Sequence, residues 1–221
     1  MRVFLLPPVS VDSVDGFTNF AASSEIFGNS VKKKQDENTK FNPRSAYGIS
    51  KVTGYHLTKN YREAYGIFAC SGILYNHESP RRNKNFVTRK ITYNLAKIHR
   101  NKKHKIFLGN INSKRDWGHA KDYVVAMWKM LQQNKPQDFV IGTGKLHSVK
   151  DFLKIAFGYF GLDYRKFIII DKKFYRKNDK YILRANINKA TKILKWKPKI
   201  NFKSLVNEMV INDINLVYKQ S

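Results

Sequence analysis

The sequence is poor in cysteine and in acidic residues, and it has no long apolar run. Its one cysteine, Cys70, cannot form a disulfide within the chain, which fits a reducing compartment and gives no support to a secreted, disulfide-stapled fold. No stretch approaches the roughly 20 apolar residues of a membrane-spanning helix. The opening Met1-Arg2-Val3-Phe4-Leu5-Leu6 is too short for a signal peptide and is stopped by Pro7-Pro8. These absences describe a soluble, cytoplasmic protein with no membrane association. Only 16 acidic residues face 42 lysines and arginines, giving a net charge of +26. Such a charge suits nucleic acid, an anionic surface or a small anionic ligand. The lysines, however, are scattered among Asn and Ile along the chain. Lys32-Lys33-Lys34 and Lys102-Lys103-His104-Lys105 are short runs in expected loops. A dedicated nucleic-acid site more often concentrates its charge on one helix or tail, so the bias is read as compositional and no specific nucleic-acid site is expected.

With 221 residues, 42% of them hydrophobic, the chain can bury a core. There is no internal repeat or low-complexity linker. Residues 1–16 show no clear pattern. Phe17 to Ser23 reads as a buried strand and Ser24 to Asn29 as the turn after it. Lys32 to Lys40 reads as a polar loop without a core face. Ser45 is a candidate N-cap for a helix to about Ala64, with Gly66 as its left-handed terminator. The nearly continuous apolar run Ile67 to Tyr75 predicts a strand buried on both faces, as in a parallel sheet. Strand, helix and strand in that order form a crossover unit of an α/β fold. Further helices are expected over Phe86–Arg100 and Ala120–Gln133, with short strands over Lys105–Leu108 and Asp138–Ile141. Ser148 is read as the cap of a helix to about Phe160, and Asn188 as the cap of a short one to Leu194. A last amphipathic helix is expected over Ser204–Leu216, with Leu205, Met209 and Leu216 near one face.

Two features can carry chemistry. Tyr47 and Lys51 are four apart on the expected helix and share a face. A tyrosine with a pKa of about 10 is a poor base at neutral pH. An ammonium about 4 Å away, at an effective dielectric of about 20, is worth roughly 4 kcal/mol, or about three pKa units. Taken alone, Tyr-x-x-x-Lys is a weak signal; an exposed lysine beside a half-buried aromatic gives the same pattern. The second feature is Ser23-Ser24-Glu25, just past a buried strand, where open parallel sheets place ligands. Glu25 there is either a solvated turn residue or a general base for a carbon-bound proton, with Ser23 donating to a substrate oxygen.

These residues carry a resemblance. Ala22-Ser23-Ser24-Glu25-Ile26-Phe27-Gly28 and Asn42-Pro43-Arg44-Ser45-Ala46-Tyr47-Gly48-Ile49-Ser50-Lys51 resemble the extended short-chain dehydrogenase/reductase group. Asn60 to Gly66, Leu74 to Arg82 running into Asn85 to Ile91, and Lys114 to Tyr123 narrow the likeness to the GDP-mannose 4,6-dehydratase family. The similar dTDP-glucose dehydratases carry aspartate where this chain has Ser24. The resemblance runs from about Phe17 to the C-terminus. It implies a partial Rossmann-type NAD(P)-binding α/β fold with a small α/β substrate-binding domain. Residues 1–16 are unmatched, 17–75 correspond to the C-terminal part of the NADP-binding domain, and 76–221 are mainly substrate-binding, with Rossmann segments interleaved at about 120–145.

Carried over position by position, the resemblance assigns Ser23, Glu25 and Tyr47 as catalytic and Lys51, His77 and Arg82 as NADP contacts. Asn76, Val87, Lys90, Arg115 and Arg176 become contacts of the substrate GDP-mannose; arginine suits a diphosphate by bidentate bonding. A homo-oligomer, dimer or tetramer, is implied. In the reaction so implied, Tyr47 removes the C4 hydroxyl proton while hydride passes to NADP+. Glu25 then takes the C5 proton, water leaves from C6, and the hydride returns to C6.

The sequence also departs from the family. The glycine-rich turn G-x-G-x-x-G, which sets the cofactor pyrophosphate on a helix N-terminus, does not occur in the 221 residues. The family's Arg-Pro-Thr-Glu-Val-Asp reads Arg176-Lys177-Asn178-Asp179-Lys180-Tyr181 here. A chain truncated before its catalytic strand is therefore expected, with Phe17–Ser23 and Ile67–Tyr75 exposing apolar faces. The functions open at this point are an active GDP-mannose 4,6-dehydratase, an inactive remnant or subunit of that family, a related sugar-nucleotide epimerase, and a basic nucleic-acid-binding protein.

Overall fold

The computed structural model describes residues 16–175 and 182–219. The first crossover unit forms as its local signals dictate. Strand β1 (Phe17–Ser23) leads through a single 3-10 turn to helix α1 (Ala46–Tyr65) and then to β2 (Phe68–Leu74). Ser45 caps α1 by accepting a hydrogen bond from the Gly48 N–H, and Gly66 ends it at φ 66°. After β2 come β3 (Asn76–Glu78), α2 (Val87–Arg100), β4 (Ile106–Leu108), β5 (Lys114–Arg115) and β6 (Trp117–His119). The chain continues through α3 (Ala120–Leu131), β7 (Phe139–Ile141), β8 (His147–Ser148) and α4 (Val149–Gly158). It closes with β9 (Ile168–Ile170), α5 (Asn188–Ile193) and α6 (Phe202–Lys219).

The first sheet is parallel with strand order β1-β2-β7. Phe20 of β1 packs on α1 at Gly54, while the adjacent Asn19 donates to the Met127 carbonyl of α3. Neighbouring side chains on a strand point to opposite faces, so the two helices cover the sheet from both sides. The remaining strands make three two-stranded pairs: β3 with β6 and β4 with β9 in parallel, β5 with β8 antiparallel. A second core joins α2, α4 and α6 through Leu95, Phe152, Leu153 and Met209, all inaccessible to solvent. Among the described residues no helix is long and apolar enough to cross a membrane.

Four expectations are corrected. The loop over Lys32–Lys40 does have a buried face: Gln35 is fully enclosed. Its side chain accepts from Tyr75 Oη at 2.9 Å and from the Arg184 N–H at 2.8 Å. Its backbone exchanges bonds with Arg184 and Asn186. Asn188 is the first residue of α5 rather than its cap, and no side chain caps that helix. In α6 the buried stripe is Leu205, Val206, Met209, Val210, Asp213 and Val217, while Leu216 sits beside it half-buried. The exposure expected of both strands applies to one only. β2 is enclosed, whereas β1 is an edge strand with Phe17 68% exposed.

A partly buried ion pair fastens α1 to this sheet. Arg62 bonds Asp138 through two parallel N–H···O contacts of 3.0 and 2.9 Å and also donates to the Ala69 carbonyl. The Ser71 N–H donates to Asp138 Oδ1 at 2.7 Å. Burial pushes the Asp138 carboxyl up, but the Arg62 bonds and charge outweigh it and hold it below the ordinary range. A carboxyl depressed on folding contributes stability above its unfolded value, near 3.9, and loses it as pH falls through the lower folded value. Arg62→Met is therefore expected to cost about 3 kcal/mol at pH 7, with the deficit shrinking below about pH 4. Urea denaturation at both pH values checks this; a pH-independent deficit contradicts it.

Candidate active site

The carboxyl end of β1 is where the site begins. Ser23 ends the strand and accepts a hydrogen bond from the Glu25 N–H at 3.3 Å, opening the turn that carries Glu25. Two glycines bring α1 against this turn. Gly28 has φ 44°, and a Cβ there would lie 2.0 Å from the Asn42 carbonyl oxygen. That close approach lets Asn29 and Asn42 bond across the loop base at 2.9 Å. A Cβ on Gly48 would meet the Glu25 carbonyl oxygen at 2.8 Å, so the first turn of α1 rests on the backbone of the candidate base. Arg44, just before the cap, places Nε 3.7 Å from Glu25 Oε2 and orients that carboxylate.

Tyr47 is 55% exposed on the first turn of α1. Lys51, one turn on, donates to the Ala21 carbonyl at 2.9 Å, and its Nζ lies 5.6 Å from the centre of the Tyr47 ring. Burial pushes the Lys51 ammonium down from its ordinary value.

Ser23, Glu25 and Tyr47 open into a cleft of about 1020 Å³ that Asn76, His77, Arg82, Val87, Lys90 and Arg115 also line. Nine of the eleven residues assigned by resemblance thus face one space. Lys51 stands behind Tyr47 rather than in the cleft wall, and Arg176 lies outside the described residues. His77 is fixed through Nδ1 to the Tyr75 carbonyl at 2.9 Å. Lys90 donates to the Phe107 carbonyl at 2.7 Å and sits 4.1 Å above the Phe174 ring; burial lowers its pKa. The start of α2 faces the same space at Val87 and Thr88, and no side chain caps it. Its first N–H groups and dipole therefore favour an anion there.

Asp116 braces the far wall. It is buried and accepts from the Thr143 N–H, Thr143 Oγ1, Gly144 N–H and Ala185 N–H at 2.5–3.1 Å. Burial pushes its carboxyl up against the pull of those donors. The contact fixes the strand that carries Arg115.

Sequence reasoning missed several lining residues. Arg44 was legible only as part of a helix start, although a guanidinium three residues before a candidate Tyr and near a candidate Glu is a usable signal. Asn85 and Phe86 stand within a stretch that carries the resemblance but were assigned no role, and Phe174 gave no signal. Among the described residues no cluster of His, Cys, Asp and Glu could hold a metal ion.

Comparison with known proteins sets this geometry in context. A profile described as GDP-mannose 4,6 dehydratase matches residues 16–209. The chain is 51% identical over 200 residues to GDP-mannose 4,6 dehydratase 1 of Arabidopsis thaliana, covering 90% of this chain and 55% of that protein. It is 44% identical over 214 residues to the GDP-mannose 4,6 dehydratase of Homo sapiens, covering 89% and 58%. It thus spans little more than half the length of the relatives it matches. Among solved structures, RMD from Pseudomonas aeruginosa complexed with NADPH superposes with a TM-score of 0.80 at 16% identity, over 90% of this chain and 66% of that one. A dTDP-glucose 4,6-dehydratase from Bacillus anthracis, in complex with NAD, gives 0.76 at 18% identity, over 92% and 61%. At those identities the likeness concerns the fold, which is of Rossmann type.

Proposed function

The chain belongs to the GDP-mannose 4,6-dehydratase family, and on that footing we propose that it carries the substrate cleft and catalytic groups for converting GDP-mannose to GDP-4-keto-6-deoxymannose. The observation that carries this reading is the gathering of Ser23, Glu25 and Tyr47 into one cleft with His77, Arg82, Lys90 and Arg115. The diphosphate belongs at the uncapped start of α2, between Lys90 and Arg115, where helix N–H groups and cations converge.

The residues divide the work. Tyr47 takes the C4 hydroxyl proton as that carbon is oxidised, with the Lys51 charge beside its ring. Ser23, at the strand end, donates to the oxygen at C4. Glu25, oriented by Arg44, takes the C5 proton that the new ketone has acidified, and water departs from C6. NADP, when bound, supplies the hydride chemistry.

The residues present fit the cofactor at one end. His77 and Arg82 line the cleft beside Tyr47, and the buried Arg82 Nε makes no hydrogen bond although Glu78 Oε2 lies 3.3 Å away. The pyrophosphate-binding turn is not among the 221 residues. Isothermal titration of this chain with NADP+ should therefore give a Kd weaker than about 100 μM; low-micromolar binding contradicts the assignment. A cytoplasmic location and homo-oligomeric assembly belong to the same reading. Exposed Ile49 and Leu57 on α1 support an assembly.

A second reading is a family member without catalysis. Fusing the N-terminal segment of a relative ahead of Phe17 and following GDP-mannose by mass spectrometry separates the two. Loss of water from the sugar nucleotide supports the first reading, and a folded hybrid that forms no product supports the second.

A further inference from the structure

The loop joining β3 to α2 is wrapped around a buried guanidinium. Arg89, in the first turn of α2, donates through Nε to both oxygens of Asp213 at 2.7 and 2.8 Å, and its Nη2 lies 2.7 Å from Oδ1. Its Nη1 donates to the Pro80 carbonyl and, at 2.9 Å, to the Arg82 carbonyl. Asp213 lies on α6, is fully buried, and also accepts from Thr92 Oγ1 at 2.6 Å. One cation thus joins a carboxylate of the last helix to two carbonyls of a loop that faces the cleft.

Packing α2 on α6 would require only the Arg89–Asp213 pair, and buried pairs are weak stabilisers because desolvation offsets their attraction. The loop carbonyls are additional. They belong to residues two apart, so the backbone must curl around Nη1 to present both. Arg82 projects from that curl between two further supports. Glu78 Oε2 lies 3.3 Å from its Nε, and the Phe86 ring lies 3.7 Å beneath its guanidinium. Glu78 is itself held by Thr88 Oγ1 at 2.5 Å.

We propose that Asp213 and Arg89 are positioning residues for Arg82. They touch no ligand; they template the loop that aims Arg82 into the cleft and so tie the C-terminal helix to the anion-binding wall. The inference rests on the reading of Arg82 as a cofactor contact, and the test separates the two. In the ¹⁵N-labelled 221-residue chain the arginine Nε–Hε resonances are followed, with Arg62 as a remote control. Asp213→Asn, and the milder Arg89→Lys, whose single ammonium cannot hold the carboxylate bidentately and both carbonyls, should move or broaden the Arg82 signal and leave Arg62 unchanged. NADP+ added to the wild type should shift Arg82. Its apparent affinity should fall at least about threefold in Asp213→Asn, with no additional loss when Arg82→Ala is also present. An Arg82 signal unmoved in both variants overturns the proposal, as does an equal affinity loss in the Arg82→Ala background. If NADP+ leaves the wild-type Arg82 signal unmoved, the cofactor reading fails, and the ligand-free spectra alone decide the positioning claim. Should Asp213→Asn lose the Arg62 signal through unfolding, Arg89→Lys decides.

Discussion

In a hybrid carrying a relative's N-terminal segment ahead of Phe17, Tyr47→Phe is expected to lower dehydratase turnover by about 10²–10⁴-fold, the range for removing a general base. The phenol reaches the cleft from the first turn of α1, and that turn is seated on the Glu25 backbone through Gly48. Removing one oxygen leaves this seating intact, so folding should not change. Glu25→Gln should lower turnover comparably but at a different stage. Oxidation at C4 precedes loss of the C5 proton, so the Glu25 variant should still accumulate reduced nicotinamide absorbance slowly, whereas Tyr47→Phe should not. Arg44→Met should resemble a weaker Glu25 variant, because Arg44 orients that carboxylate from 3.7 Å. Full turnover in both Tyr47→Phe and Glu25→Gln would remove these residues from the mechanism.

Duplex DNA should bind this chain at low salt and be released steeply as salt rises. A net charge of +26 guarantees attraction to phosphates, and the segment from Lys97 to Lys105 offers the densest local charge. There Lys97, Arg100 and His104 surround a shallow hollow at the end of α2, and the Lys97 charge, added to burial, lowers the His104 pKa. These groups satisfy surface needs as they stand: Lys97 lies 4.9 Å from the Tyr93 ring centre, and His104 bonds Asn94 at 2.8 Å. For six or more phosphate contacts the affinity should fall by about 10³-fold or more between 50 and 200 mM salt. Fluorescence anisotropy with two unrelated duplexes checks this. Tight, sequence-selective binding at physiological salt would establish a nucleic-acid function, and an absence of binding at low salt would show that the charge is not presented to solvent.

Much of the fold was legible where the signal is local. Ser45, Gly66 and Ser148 act through atoms within a turn of themselves, and each does what its residue type predicts. β2 announced itself because a strand covered on both faces must be apolar throughout. The two- and three-residue strands β3, β5, β6, β8 and β9 are too short to show a period of two. Gln35 misled because a buried amide is satisfied by partners far along the chain, 149 residues away in the case of Arg184. Arg89 and Asp213 are 124 residues apart, and nothing in either neighbourhood marks the pair. At the site, the motif residues converge on the cleft, whereas Arg44 and Phe174 became visible only once the cleft had walls. Lys51 shares the face of Tyr47 as helical spacing requires, but its ammonium also serves the Ala21 carbonyl, which no spacing rule reveals.

The proposed substrate of this cleft is GDP-mannose. Titration of the purified 221-residue chain with GDP-mannose, alongside dTDP-glucose, tests it most directly. Saturable binding of GDP-mannose is expected with a Kd at or below about 1 mM, roughly 4 kcal/mol, weakened at least about tenfold by Arg115→Ala, with no saturation by dTDP-glucose. Equal binding of the two sugar nucleotides, or none of either by the folded chain, would contradict it.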